Sequence, residues 1–154
     1  MSSLVVPMIW LWGIIVATTG PASPTENSFQ QLQATVAQFR ARMEIREEVA
    51  IRVVDQNARL VSVSRSRIRP EAFVIDCDRA FFAQLSEEEQ RAAIAHELGH
   101  VWLFTHHPFL QTEALANQKA LQVVSQESLT AVYEKVWKHE GKSGTLEEFL
   151  ARVH

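Results

Sequence analysis

The stretch LSEEEQRAAIAHELGH, residues 85–100, decides the fold of this 154-residue chain because it marks the start of a long helix. Ser86 suits the N-cap position, and Glu89, three residues later, completes a capping box. The acidic first turn matches the positive end of the helix dipole. The helix is predicted to run to about residue 104, since the residue before Pro108 is pushed out of helical geometry.

This helix carries the spacing HExxH. His96 and His100 are four residues apart, so they share one helix face and can bind one metal ion, with Glu97 beside them. Zn²⁺ in such a site lowers the pKa of a bound water toward 7, and Glu97 can accept its proton. The resulting hydroxide attacks a peptide carbonyl, and Glu97 returns the proton to the leaving amine. The pattern therefore predicts metal-assisted peptide hydrolysis.

A catalytic zinc needs a third protein ligand besides the two histidines. His106 has the spacing of the third histidine of metzincins, but that pattern requires a glycine at position 103, where this chain has Leu103. It also requires a methionine further along the chain, and the methionines all precede the motif: Met1, Met8 and Met43. No aspartate follows Asp78, and Cys77 is the only cysteine. A glutamate is therefore the expected third ligand.

Two glutamates are candidates for this ligand. Glu113 is better placed, because it begins the helix that follows the turn after the HExxH helix, and an antiparallel return brings it near His100. Glu127 lies several turns further on. Asn117 is one turn after Glu113, and its side-chain oxygen can accept the second N–H of a zinc-bound histidine and set its tautomer.

The motif LSEEEQRAAIAHELGH, followed by EALAN, resembles the gluzincin zinc metallopeptidases. In chain length the protein is most similar to the minimal gluzincins. In that family HExxH is followed by a glutamate within E-x-x-x-D, which implies zinc ligation by His96, His100 and Glu113, with Glu97 as the base. Asn117 departs from the aspartate of many members. The EALAN form is also similar to the ImmA/IrrE-type peptidases, which are intracellular. The resemblance covers about residues 70–125.

An α+β fold is expected: a backing helix, a small twisted and mainly antiparallel sheet, the active-site helix, the glutamate helix and C-terminal helices. Ser23 caps the backing helix, whose apolar stripe comprises Phe29, Leu32, Val36, Phe39 and Met43. Strands are predicted at 49–54, 59–64 and 72–76, the first two as a hairpin. The resemblance implies that an edge strand pairs with the substrate, and 72–76 is the candidate.

The helix that carries Glu113 is predicted to begin near Thr112 and to continue to about His139, with a break around residues 125–128. A last short helix is expected at 145–148. Tyr133 and His139 are both candidates for stabilising an oxyanion, although Tyr133 also fits an apolar helix stripe. Cys77 suits the end of a strand better than a role as a thiolate that blocks the metal.

The N-terminus differs from the rest of the chain. Residues 4–17 are apolar and uncharged, and small, turn-forming residues follow, which predicts a signal peptide or membrane anchor at 1–22. A single metallopeptidase-like domain then spans 23–154. The expected location is secreted or periplasmic, and membrane association through the N-terminal segment is the alternative.

The formal net charge of -3 offers no basic surface for nucleic acid. The HExxH motif makes a peptide or protein substrate the expected partner. Two alternatives to a zinc metallopeptidase remain open from the sequence. One is a metal-stabilised regulatory or binding module without proteolytic activity, and the other is a zinc-free helical scaffold.

Overall fold

The computed structural model of this protein describes residues 24–141, and side chains within 28–141. The predicted signal peptide or anchor at 1–22, the N-cap Ser23 and the short helix at 145–148 lie outside the described residues. The elements follow the order α1 (Pro24–Arg42), β1 (Val49–Val54), β2 (Val61–Arg65), β3 (Phe73–Asp78), α2 (Arg79–Phe82), α3 (Glu87–His106), α4 (Glu113–Ala120) and α5 (Gln126–His139). The predicted α+β class is confirmed.

The three strands form one mixed sheet in the order β1-β3-β2. β1 runs parallel to β3, with Val49 opposite Phe73, and β2 runs antiparallel to β3, with Val63 opposite Ile75. The predicted hairpin between the first two strands is therefore wrong, and the sheet is not mainly antiparallel. The prediction that 72–76 forms an edge strand is also wrong, because β3 is central.

The connection between β1 and β2 explains this strand order. It crosses the end of β3, where the Asn57 side chain donates to the carbonyl of Asp76 at 2.7 Å and the Asn57 N–H donates to the Asp78 carboxylate at 3.0 Å. Leu60 then turns the chain with a φ of 65°. The link is thus anchored to β3 rather than closed as a tight turn, and β3 occupies the space between the two earlier strands.

One face of the sheet is buried and the other meets solvent. Phe73, Ile75 and Cys77 alternate along β3 and are almost fully buried. They pack in one core with apolar residues of two helices: Val36 and Phe39 of α1, with Met43 just after it, and Ile94, Leu98 and Val101 of α3. Burial of each large side chain contributes about 1.5–3 kcal/mol. The solvent-facing side carries the ion pair of Arg52 with Asp76, at 2.8 Å.

The helices largely follow the predicted pattern. Ser86 and Glu89 form the expected capping box of α3, and Thr112 and Ser125 cap α4 and α5, so the predicted break lies between these two helices. Phe29 differs from the prediction, because it is 47% exposed and does not join the core stripe of α1. Within the described part of the chain, no helix is both long enough and apolar enough to cross a bilayer.

Candidate metal centre and cleft

The two histidines of the HExxH stretch come together on α3. Their Nε2 atoms are 3.1 Å apart, because one helical turn separates the residues. Both side chains are partly exposed, with relative exposures of 15% for His96 and 20% for His100. The two imidazoles therefore point the same ring nitrogen at one place on the surface of the helix.

Glu113, the first residue of α4, completes this group. After α3 the chain reverses direction, and Thr112 caps α4 by accepting from the N–H of Leu115. The Glu113 carboxylate then lies 3.0 Å from His96 Nε2 through Oε2 and 3.3 Å from His100 Nε2 through Oε1. The structure thus brings together the three predicted ligands.

The alternative ligands are placed elsewhere. Glu127 lies in the first turn of α5. His106 stacks on Trp102, with ring centroids 4.4 Å apart and planes inclined by 6°. Among the described residues, the His, Cys, Asp and Glu side chains form only one group with the spacing of a metal site, and neither Glu127 nor His106 belongs to it.

The spacing of the group fits a small tetrahedral cation. Zinc bonds of about 2.0–2.1 Å at tetrahedral angles place neighbouring ligand atoms about 3.3 Å apart. The three separations between His96, His100 and Glu113 are 3.0, 3.1 and 3.3 Å. Hydrogen bonds from the imidazoles of His100 and His96 hold the pKa of the Glu113 carboxyl well below its usual range, so it is ionised at neutral pH. Two nitrogens and one anionic oxygen are a donor set that zinc accepts.

Gly99 lets α4 approach α3 closely enough to form this group. A β-carbon at position 99 would lie 2.4 Å from the carbonyl oxygen of Ala116 and 2.9 Å from its Cα. Such distances are far inside van der Waals contact, so only glycine fits without a shift of α4. This role of Gly99 was not predicted from the sequence, although a glycine in the interior of a helix is itself a sign of close packing.

Each histidine has a side-chain partner at its second ring nitrogen. Asn117 Oδ1 lies 2.8 Å from His96 Nδ1, as predicted, and Gln111 Oε1 lies 3.4 Å from His100 Nδ1. With a cation bound, the amide oxygens would accept the Nδ1 protons, and both Nε2 atoms would give up their protons and offer lone pairs to the cation. Gln111 lies in the loop before α4, so helical periodicity could not link it to His100 from the sequence.

Tyr133 also lies at the centre of the site. Its hydroxyl is 2.9 Å from Asn117 Nδ2 and 3.4 Å from Glu113 Oε2. Burial raises the pKa of the Tyr133 hydroxyl, which therefore keeps its proton at neutral pH. His139, the other candidate oxyanion stabiliser, instead meets Phe81 edge to face at 5.9 Å between ring centroids.

Glu97 is the only charged residue among the buried residues that the structure describes, with 8% of its surface exposed. Burial raises the pKa of its carboxyl, and the charge of Glu113 adds to the rise. His96, His100 and a hydrogen bond from the backbone N–H of Val63 oppose it. A carboxylate whose pKa is raised is a stronger proton acceptor than an ordinary glutamate.

A cleft of about 600 Å³ runs past these side chains. Glu97 and the two histidines lie at its floor, β2 forms one wall, and apolar residues of α5 line the other: Leu129, Val132 and Val136. The volume is in the range of small-molecule and short-peptide sites.

The wall formed by β2 is the open edge of the sheet. Leu60 and Ser66 flank β2, and their backbone groups bond to Asp78 of β3 and to Ala72 just before β3, so the even-numbered residues of this segment face β3. The N–H and C=O of Val63 therefore point away from β3, and the Val63 N–H reaches Glu97. β2, rather than the predicted 72–76, is the strand whose edge adjoins the site.

Cys77 lies in the core behind the site and is expected to be inert as a nucleophile. It is completely buried, and burial raises the pKa of its thiol to about 12, with smaller contributions from the charges of Glu97 and Asp76. We expect Ellman's reagent at pH 8 to leave Cys77 unmodified in the native protein and to modify it in denaturant. Rapid reaction of the native protein would contradict the buried position.

The chain matches no protein-family model, and it has no significant match among curated proteins or solved structures.

Proposed function

We propose that the chain is a zinc-dependent metallopeptidase of the gluzincin type, which hydrolyses peptide bonds. The observation that carries the proposal is the group of His96, His100 and Glu113, whose ligand atoms all lie within 4.8 Å of one another, beside the buried Glu97. Three protein ligands are typical of a catalytic zinc, which keeps its fourth position open, whereas structural zinc sites use four.

His96, His100 and Glu113 would hold the ion. Bound zinc would supply an activated water and polarise the carbonyl of the substrate. The Glu97 carboxylate would accept a proton at one of its oxygens and deliver it to the nitrogen of the departing amine. The raised pKa of Glu97 supports this exchange, because a more basic carboxylate accepts a proton from water more readily.

The cleft supports a peptide as substrate. An extended chain can add to an open sheet edge through backbone hydrogen bonds, and the β2 edge lies directly beside Glu97. The apolar wall of Leu129, Val132 and Val136 lines the same cleft and can contact apolar side chains of the peptide. Backbone pairing would make binding tolerant of sequence, while the apolar wall would select side chains.

Metal content and proteolysis test the proposal together. Protein purified without chelator is expected to contain about one zinc per chain by elemental analysis and to cleave an unfolded protein or a peptide library. His96→Ala removes one of three ligands and is expected to lose both properties. Wild-type protein that binds no more zinc than His96→Ala would overturn the site. Zinc-loaded protein that cleaves nothing would favour the alternative of a metal-stabilised binding module.

A further inference from the structure

Tyr133 reaches the metal group from a third helix. α3 supplies the histidines and α4 supplies Glu113 and Asn117, whereas Tyr133 belongs to α5. Its ring meets the His96 ring edge to face, with centroids 5.8 Å apart. Its hydroxyl has two partners on α4, Asn117 and Glu113, within hydrogen-bond range.

The donors and acceptors of these groups form a directed chain. Asn117 Oδ1 can only accept a hydrogen bond, so His96 Nδ1 carries the proton and donates it across 2.8 Å. The Asn117 Nδ2 group, a donor only, then points to the Tyr133 oxygen at 2.9 Å. The Tyr133 proton has Asn117 Oδ1 within 3.1 Å and Glu113 Oε2 within 3.4 Å. Of these two acceptors, the Glu113 oxygen carries the charge.

We propose that Tyr133 and Asn117 form a bridge that ties His96 to Glu113 and holds both in the geometry of the metal site. The inference rests on the proposed metal site. Such a bridge is needed because His96 and Glu113 lie on different helices. Ligands from two helices keep a precise geometry only if a further contact fixes the relative position of the helices. Tyr133 is thus a positioning residue, and its hydroxyl is engaged with Asn117 and Glu113 rather than presented to an oxyanion.

Zinc affinity, measured by competition with a chromogenic chelator, tests the bridge. Tyr133→Phe keeps the ring and removes only the hydroxyl, and we expect it to weaken zinc binding about 10–100-fold, the usual effect of losing such a supporting contact. The matched control is Thr130→Val, which removes another α5 hydroxyl, one that bonds only within its own helix at Gln126 O. The control is expected to bind zinc like wild type.

A double variant separates a bridge from two independent contacts. If Asn117 and Tyr133 act as a unit, Asn117→Ala with Tyr133→Phe should weaken zinc binding no more than the stronger single change does. Additive losses, or a Tyr133→Phe protein with wild-type affinity, would overturn the bridge while leaving the metal site intact. Wild-type protein that binds no zinc would overturn both proposals, so the two failures are distinguishable.

A spectroscopic measurement on the wild type covers the case in which Tyr133→Phe does not fold. Tyr133 is the only tyrosine in the chain, so labelling tyrosine with ¹³C at Cζ produces a single resonance. We expect the hydroxyl proton to exchange slowly with water and the resonance to shift when Zn²⁺ is added. A rapidly exchanging hydroxyl whose resonance ignores zinc would contradict the bridge.

Discussion

Glu97→Gln is expected to lower the rate of peptide hydrolysis by about 10²–10⁴-fold, the usual contribution of a general base. The glutamine amide has nearly the size of the carboxyl, but its oxygen is too weakly basic to accept a proton from water. The metal ligands are untouched, so zinc content should stay at the wild-type level. The measurement is kcat on a fluorogenic peptide, beside elemental analysis of the same sample.

Glu97→Gln should also leave the fold intact. The carboxyl is buried and its pKa is raised by burial, so replacing a charge that is costly to bury should not lower the melting temperature. Glu88→Gln, an exposed change in the first turn of the same helix, is the matched control and should retain activity. Cleavage by Glu97→Gln at the wild-type rate would remove Glu97 from the mechanism.

Gly99→Ala is expected to destabilise the protein and to weaken zinc binding at least about tenfold, a loss of about 1.4 kcal/mol. Helix propensity alone favours alanine by about 1 kcal/mol. The added β-carbon, however, would lie 2.4 Å from a backbone oxygen of α4, and a backbone atom cannot rotate away as a side chain can. Overpacking typically costs about 1–3 kcal/mol, so the clash outweighs the propensity.

The loss of zinc affinity in Gly99→Ala follows from the position of α4. Relief of the clash at Ala116 moves α4 away from α3, and Glu113 and Asn117 move with it. Thermal unfolding without zinc measures the loss of stability. The rise in melting temperature when zinc is added measures zinc binding, because a ligand stabilises the folded protein by an amount that grows with its affinity. Glu88→Ala changes helix propensity at an exposed site of α3 and serves as the control. A Gly99→Ala protein that is more stable and binds zinc normally would show that no close contact exists.

The sequence alone determined the elements whose cause is local. The capping box of Ser86 and Glu89 placed α3, because it depends on residues three positions apart. Helical periodicity put His96 and His100 on one face for the same reason. Glu113 was predicted from the short return after α3, where few residues leave little freedom of path, and Asn117 from its position one turn after Glu113 on the same helix face.

Only the tertiary structure decided the features that depend on distant residues. β3 lies at the centre of the sheet because the Asn57 link is anchored across its end, and no pattern within the strand encodes that path. The exposed edge beside Glu97 consequently belongs to β2. Tyr133 joins the metal group because α5 packs against α3 and the Tyr133 hydroxyl reaches Asn117 of α4, although its spacing within α5 also fits a core stripe. Long-range packing, unlike helix capping, is set by surfaces that meet only in the folded chain.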